Sequence, residues 1–211
     1  MSKTLDEIAI KYGTDKSSQG HGYTELYDGV FRALQNWPLK LLEIGIDEGK
    51  SIRMWQEYFP KAQIFGVDIN EQCRKYETDR TKIFIGDQTD APFLENVVST
   101  AGGYLDIIID DGGHWMHEQI TSLSILWPYL SPRGIYVIED LQTSYIPEYG
   151  GGFRKFDTTI EFLKGLVDDV NLKGEDSYLV TDIASIHFHR NICFLFKCKE
   201  SRDKKPKNQQ S

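Results

Sequence analysis

The sequence predicts a doubly wound, Rossmann-like α/β fold: a mostly parallel seven-stranded sheet flanked by helices and closed by a C-terminal antiparallel hairpin. Two observations lead to this prediction. Five short apolar runs between residues 39 and 140 alternate with helical patterns, which is typical of parallel strands joined by crossover helices. Two further β-rich runs, around 183–189 and 191–198, follow one another almost without a linker, which indicates a hairpin.

The parallel strands of this prediction come from five runs of the chain. Each run is short and mostly apolar, as expected for strands that are covered on both faces. The five predicted strands are LKLLEIG (39–45), AQIFGVDI (62–69), KIFIGD (82–87), YLDIIIDDG (104–112) and GIYVIED (134–140).

Helical periodicity predicts what connects and precedes these strands. KSIRMWQEYFP (50–60) and HEQITSLSILWPYLSP (117–132) repeat apolar residues at three and four positions and end near prolines, so each predicts a helix laid on the sheet. TTIEFLKGLVDDV (158–170) predicts another helix before the hairpin. Residues 1–38 predict two helices separated by the loop KYGTDKSSQGHGY, which together would form a helical preface and lid.

The two ends of the chain differ in composition. The last dozen residues, ESRDKKPKNQQS, lack apolar side chains, so we expect a disordered tail over 199–211. Residues 1–198 are long enough to form one α/β domain with its own core, and we expect them to do so.

Composition excludes several classes of partner. The 211 residues include 24 basic and 32 acidic side chains, a formal net charge of −8, which argues against a general nucleic-acid binder because such proteins need a basic face. No apolar run approaches the ~20 residues of a membrane span, and the N-terminus lacks the pattern of a secretory signal. We therefore expect a cytoplasmic protein with three reduced cysteines, acting on neither nucleic acid nor membrane.

Acidic side chains mark the end of every predicted parallel strand. In an open parallel sheet, ligands bind outside the carboxyl ends of the strands, so these carboxylates are expected to share one edge. We call this set the acidic rim; its members are Glu43, Asp47, Asp68, Asp87, Asp110, Asp111, Glu139 and Asp140.

The acidic rim favours S-adenosylmethionine over NAD as the cofactor. A pyrophosphate needs free backbone N–H groups without a nearby anion, whereas the loop after the first strand has only Gly45 and Gly49 around an acidic pair. Asp68, 19 residues after Gly49, ends the second strand, where a carboxylate can take both ribose hydroxyls. Asp87 and Gln88 end the third strand and are candidates for the adenine.

The fourth and fifth strands predict a metal site. If these strands are neighbours, about 4.8 Å apart, the carboxylates of Asp111, Glu139 and Asp140 can converge on one point. Three oxygen ligands without cysteine select Mg²⁺ or a similar cation. His114, three residues after Asp111, is placed to act as a general base beside that metal.

Eight segments carry a resemblance to a known family, in this order: KYGTDK, HGYTELY, LLEIGIDEGKSIRMW, GVDIN, GDQTD, IIIDDGGH, YVIEDLQTSY and SIHF. Together they resemble the metal-dependent sugar O-methyltransferases of macrolide biosynthesis, such as the mycinamicin and macrocin enzymes, over about residues 8–196. These are class I S-adenosylmethionine-dependent methyltransferases. The sequence departs from them in IDEGKS, where relatives often have more glycine, and in DDGGH, where DDGSH is more usual.

The resemblance implies an O-methyltransferase that acts on a glycosylated small molecule or a similar diol, and it favours a homo-oligomer. It implies Mg²⁺ at Asp111, Glu139 and Asp140, and His114 as the general base. It also implies S-adenosylmethionine around Glu43, Gly45, Asp68 and Asp87, with KYGTDK enclosing the cofactor through Tyr12, Thr14 and Asp15.

Two other classes of function stay open on the sequence alone. One is an NAD-type Rossmann oxidoreductase or sugar-modifying enzyme, which would need a first loop that tolerates phosphate. The other is a protein that binds S-adenosylmethionine without turnover. The roles of His21, His117 and the tyrosines of QTSYIPEYGGGFRKF (142–156) also stay open.

Overall fold

The computed structural model describes residues 3–171 and 182–199. Within these residues, seven strands form one sheet. The strands are β1 (Lys40–Ile44), β2 (Gln63–Asp68), β3 (Thr81–Ile85), β4 (Leu105–Asp110), β5 (Leu130–Ile138), β6 (Ile183–His189) and β7 (Ile192–Lys197).

Six α-helices accompany the sheet in the described residues. They are α1 (Leu5–Tyr12), α2 (Tyr23–Phe31), α3 (Lys50–Tyr58), α4 (Ala91–Thr100), α5 (Met116–Leu126) and α6 (Thr159–Asn171). Short 3-10 turns follow several elements, including Leu141–Tyr145 and Pro147–Tyr149 after β5.

The strand order is β3-β2-β1-β4-β5-β7-β6. The pairs β1–β2, β1–β4, β2–β3 and β4–β5 are parallel. Strand β7 is antiparallel to β5, and β6 is antiparallel to β7. The predicted doubly wound sheet with a C-terminal antiparallel hairpin is therefore confirmed. In register, Ile44 lies beside Val67 and Asp110, and Asp110 lies beside Ile138, so the carboxyl ends of these four strands meet at one edge.

The structure differs from the prediction in one additional helix and in the start of β5. Helix α4 has no counterpart among the helices predicted from periodicity; it begins after Asp90, whose side chain accepts a hydrogen bond from the Phe93 amide at 3.1 Å, a common N-cap. Strand β5 begins at Leu130 and not at residue 134, so the helix predicted over 117–132 ends earlier, with α5 stopping at Leu126. Strand β5 also shifts register against β4 between Leu105 and Ile107.

The helices cover the two faces of the sheet separately. Helices α1, α2 and α3 pack on one face and α4, α5 and α6 on the other. Tyr27 and Trp55 pack edge to face in the first layer, with ring centroids 5.1 Å apart, and both are fully buried. The N-terminal helices are therefore part of the core. Of the tail expected over 199–211, residues 200–211 lie outside the described residues.

None of the helices in the described segments combines the length and the apolar character that a bilayer span requires. The three cysteines are free thiols, with Cys73 and Cys193 buried.

Candidate active site

A cavity of about 750 Å³ opens at the carboxyl ends of the parallel strands. Its volume is in the range usual for small-molecule sites. Its lining includes Gly45 and Asp68, from the ends of β1 and β2, and Asp111, His114 and Asp140, from the ends of β4 and β5. The cavity therefore joins the expected cofactor region to the expected metal region.

The turn after β1 depends on Gly45. This residue has φ +85°, and a Cβ atom built on it would lie 1.9 Å from the Asp111 carbonyl oxygen. A side chain is therefore excluded both by backbone conformation and by space. The close approach brings the ends of β1 and β4 together beneath the cavity.

Asp68 holds the backbone of this turn in place. Its Oδ2 accepts hydrogen bonds from the amides of Ile46 (2.8 Å) and Asp47 (3.1 Å), and its Oδ1 accepts one from the Asn70 amide (2.7 Å). Burial raises the pKa of the Asp68 carboxyl, but these amide donors outweigh burial and the net pKa is lowered. The side chain is thus an ionised carboxylate at the edge of the cavity.

Gln88 connects the ends of β3 and β4. Its Oε1 accepts a hydrogen bond from the Gly113 amide at 2.9 Å, and its Nε2 donates to Asp110 Oδ1 at 3.3 Å. The carboxylate of neighbouring Asp87 accepts hydrogen bonds from the backbone amide (2.7 Å) and the hydroxyl (2.8 Å) of Thr89. Both hydrogen bonds lower the pKa of Asp87, and the one from the backbone amide has the larger effect.

Most, but not all, of the residues predicted to bind the cofactor border the cavity. Thr14, Gly45, Asp47, Asp68, Asp87 and Gln88 border it, as does Asp15; Tyr12, Glu43 and Asp110 do not. The Tyr12 hydroxyl instead donates to Glu57 at 2.8 Å, on α3.

Glu43 and Asp110 are fully buried beneath the cavity. Glu43 accepts hydrogen bonds from Ser51 Oγ (2.9 Å) and Trp55 Nε1 (3.1 Å), and burial raises its pKa to about 7. Asp110 accepts from Ser122, and burial raises its pKa to about 6. Both carboxyls therefore support the floor of the cavity and do not line it.

Asp111, His114 and Asp140 form a compact group of candidate metal ligands. One donor atom from each lies within 4.8 Å of the other two, and His114 Nε2 is 3.6 Å from Asp140 Oδ2. Two carboxylates and an imidazole are donors that a divalent cation accepts. Buried His114 Nδ1 has no hydrogen-bond partner among the described residues. The donors present thus fit a small divalent cation.

Glu139, the third predicted metal ligand, lies beside this group but has other partners. It is 1% exposed, its Oε2 is 2.8 Å from Lys16 Nζ, and its Oε1 accepts a hydrogen bond from the Tyr27 hydroxyl. Lys16 Nζ also forms a short ion pair with Asp111. Asp111 and Glu139 are therefore held together through one ammonium group.

Asp140 is oriented from the N-terminal segment. Its Oδ1 accepts a hydrogen bond from the Tyr23 hydroxyl at 2.9 Å and lies 3.4 Å from His21 Nδ1. Tyr23 is 2% exposed, so it supports the carboxylate and does not offer a wall to a sugar. Asp140 itself has φ +55°, a conformation that non-glycine residues adopt rarely and often at functional sites.

Sequence reasoning missed Lys16, Tyr27 and the contacts of Tyr23 and His21. All four lie in the preface, within KYGTDK and HGYTELY. The segments were singled out by resemblance, but no local pattern signals a lysine whose partners are contributed by strands β4 and β5.

Exposed aromatic side chains lie along the segment after β5. Tyr145, Phe153 and Phe156 are 48%, 79% and 93% exposed. Trp115, which directly follows His114, is 44% exposed and has its ring centroid 6.0 Å from that of Tyr149. Aromatic surface of this kind can stack on a ligand.

Comparison with known proteins gives similar methyltransferases. A family profile described as "Methyltransferase domain" matches residues 42–141. The chain is 35% identical over 210 residues to the mycinamicin VI 2''-O-methyltransferase of Micromonospora griseorubida, covering 92% of this chain and 52% of that protein. It is 36% identical over 214 residues to the 8-demethyl-8-(2-methoxy-alpha-L-rhamnosyl)-tetracenomycin-C 3'-O-methyltransferase of Streptomyces olivaceus, covering 93% and 54%. The chain thus spans about half the length of these relatives.

Solved structures agree. MycE from the mycinamycin biosynthetic pathway, in complex with Mg, SAH and mycinamycin VI, matches with a TM-score of 0.86 and 34% identity, over 96% of this chain and 56% of that one. The SAH-bound methyltransferase PaMTH1 of Podospora anserina matches with a TM-score of 0.62 and 17% identity, over 93% and 88%; this second likeness is one of fold alone.

Proposed function

We propose that the chain is a class I S-adenosylmethionine-dependent methyltransferase, because it resembles the macrolide sugar O-methyltransferases over most of its length, and that it methylates a hydroxyl group on a small natural product. The acceptor hydroxyl belongs to a sugar or to a similar vicinal diol. The enzyme uses S-adenosylmethionine and Mg²⁺.

One observation carries the proposal: a single cavity joins the turn fixed by Gly45 and Asp68 to the group Asp111, His114 and Asp140. A methyl donor bound beside Asp68 and a hydroxyl bound beside Asp111 would therefore lie in the same cavity. Holding both reactants in a fixed relative geometry can supply several kcal/mol of the barrier reduction.

The cofactor end is assigned from charge and hydrogen bonding. Asp68 is ionised and borders the cavity, so it is suited to accept ribose hydroxyls. Asp87 and Gln88 are suited to the adenine, and Thr14 and Asp15 also border the cavity. Asp47 and Glu48 also border the cavity, which suits a cationic sulfonium cofactor better than a pyrophosphate.

The metal end is assigned to Asp111 and Asp140, with Glu139 as the third ligand, as the sequence predicts. When bound, S-adenosylmethionine supplies an electrophilic methyl group and a divalent cation lowers the pKa of an acceptor hydroxyl. His114 also lies within reach as a ligand, so a role as a base must be distinguished from a role as a ligand.

Nε2 of His114 takes the proton from the acceptor hydroxyl. Asp140 Oδ2, at 3.6 Å, stabilises the imidazolium that forms, and Tyr23 and His21 hold Asp140 in place from its other oxygen. Trp115 and Tyr145 offer aromatic surface for the rest of the acceptor.

The direct test is transfer of a labelled methyl group from S-adenosylmethionine to a panel of glycosylated polyketides and the corresponding aglycones, with Mg²⁺ present. We expect label on glycosylated acceptors and none on aglycones that lack the sugar. Isothermal titration with S-adenosylmethionine and with NAD⁺ separates the competing class: tight NAD⁺ binding without S-adenosylmethionine binding would overturn the proposal.

A further inference from the structure

We propose that Lys16 is a built-in competitor of the metal ion: its ammonium group and a divalent cation contend for the Asp111 and Glu139 carboxylates. This inference rests on the proposed metal site. It assigns to the KYGTDK segment a role at the metal centre, in addition to its place at the wall of the cofactor cavity.

Lys16 is a buried cation that lies among carboxylates. Its side chain is 1% exposed, and Nζ pairs closely with Asp111, at 2.8 Å with Glu139 and at 4.0 Å with Glu43. Among the residues that the structure describes, no other lysine or arginine pairs with these three carboxylates. Lys16 is therefore the counter-ion of the cluster.

Position makes this lysine a competitor and not a distant neutralising charge. Asp111 belongs to the proposed ligand set, and Lys16 Nζ sits directly on its Oδ2. A cation that binds the same carboxylate comes within a few ångströms of the ammonium group. Two positive charges at such a distance, one of them on a side chain that is only 1% exposed, repel each other strongly.

Charge counting gives the direction of the effect. Glu43, Asp111 and Glu139 contribute three carboxyl groups, and Lys16 offsets one unit of their negative charge. A neutral residue at position 16 would leave the centre more negative and remove the repulsion, so metal binding should become tighter. The same change leaves buried carboxylates without a counter-ion, which destabilises the protein until a metal replaces it.

Lys16 also links the metal centre to the cofactor cavity. The loop between α1 and α2 is folded on itself by backbone hydrogen bonds, among them Thr14 N to Ala9 O (3.2 Å) and Gly20 N to Ser17 O (2.9 Å), and Gly13 to Ser17 border the cavity. The ion pairs of Lys16 with Asp111 and Glu139 tie this loop to the ends of β4 and β5, so moving the Lys16 side chain away would loosen one wall of the cofactor site.

The test measures Mn²⁺ binding to the full chain by electron paramagnetic resonance, without cofactor. Lys16→Met removes the charge at similar volume, and Lys16→Gln removes it while keeping a hydrogen-bond donor. We expect each variant to bind Mn²⁺ at least about tenfold more tightly than the unmodified protein. We also expect a lower melting temperature without metal and a larger rise on adding Mg²⁺.

Lys50→Met is the matched control. Lys50 borders the same cavity but pairs with exposed Glu48. The Lys50→Met variant therefore loses the same charge, but away from Glu43, Asp111 and Glu139. We expect its Mn²⁺ affinity to change by less than about twofold, because exposed charges are screened by solvent and salt. If Lys50→Met increased the Mn²⁺ affinity as much as the Lys16 variants do, the change in net charge alone would explain the effect. That result would overturn the proposed role of Lys16.

A measurement on the unmodified protein covers the case in which neither variant folds. If metal displaces Lys16, saturating Mg²⁺ should speed hydrogen exchange at the amides of Thr14, Ser17 and Gly20. Unchanged exchange, or unchanged or weaker Mn²⁺ binding by folded variants, contradicts the inference alone. Failure of the unmodified protein to bind Mn²⁺ contradicts the proposed metal site as well.

Discussion

The Tyr23 hydroxyl donates a 2.9 Å hydrogen bond to Asp140 Oδ1. Tyr23 is the first residue of α2, and Asp140 follows β5 with φ +55°. This bond joins the N-terminal helices to the carboxylate that faces His114. The preface is therefore a structural part of the candidate site and not an addition beside it.

Replacing Tyr23 with Phe should lower kcat/KM for methyl transfer by about tenfold, since a hydrogen bond to a charged group contributes about 1.5–3 kcal/mol. Asp140 would lose one of the two groups that fix its orientation. S-adenosylmethionine affinity should stay unchanged in titration calorimetry. Tyr104→Phe, at an exposed position beside the amino end of β4, is the control and should behave as the unmodified enzyme; equal loss in both variants would refute a specific role for Tyr23.

Replacing His114 with Ala should reduce methyl transfer by at least about a hundredfold, the usual contribution of a general base. Binding of S-adenosylmethionine and of Mn²⁺ should persist, because the proposed cofactor and metal ligands are untouched. His117→Ala removes a neighbouring exposed histidine and should be near normal. Loss of Mn²⁺ binding in His114→Ala would make His114 a ligand instead of a base, and an unchanged rate would exclude both roles.

Replacing Asp68 with Asn should weaken S-adenosylmethionine binding by at least about tenfold, because a buried or partly buried donor left without its acceptor costs roughly 1–3 kcal/mol. The uncharged Asn side chain would lack the negative charge to which the backbone amides of Ile46 and Asp47 now donate hydrogen bonds. Titration calorimetry measures the effect, with exposed Asp79→Asn as control. Undiminished affinity would show that Asp68 neither fixes the turn nor binds the cofactor.

Replacing Gly45 with Ala should lower the free energy of unfolding in urea by about 2 kcal/mol or more, as expected for overpacking. The added Cβ would meet the Asp111 carbonyl oxygen at 1.9 Å. Gly103→Ala is a matched control: Gly103 has φ +97°, but a Cβ there meets nothing within 4 Å. If the two variants lose equal stability, backbone strain alone accounts for Gly45.

The sheet could be predicted because its signals are local. Ile107, Ile108 and Ile109 are fully buried, and such an apolar run flanked by turn residues indicates an internal strand whatever the rest of the chain does. The meeting of Asp111 with Asp140 follows from the same logic, since β4 and β5 are neighbours and end at one edge.

The environment of each carboxylate could not be predicted in the same way. Lys16 is 95 residues from Asp111 along the chain, and its burial depends on how α1 and α2 pack on the sheet. The sequence likewise cannot distinguish Glu43 and Asp110, which are buried under the cavity, from Asp68, which borders it. All three side chains lie at the carboxyl ends of strands. Only the packed structure shows which of them line the cavity and which are buried beneath it.

Metal-assisted methyl transfer is tested by the dependence of that transfer on a divalent cation. The enzyme is assayed with labelled S-adenosylmethionine and a glycosylated acceptor, before and after treatment with EDTA, and again after Mg²⁺ is restored. Transfer should be lost on chelation and return with Mg²⁺, because Asp111, Glu139 and Asp140 are proposed to hold the cation. Full activity in the presence of excess EDTA would exclude a metal-assisted reaction.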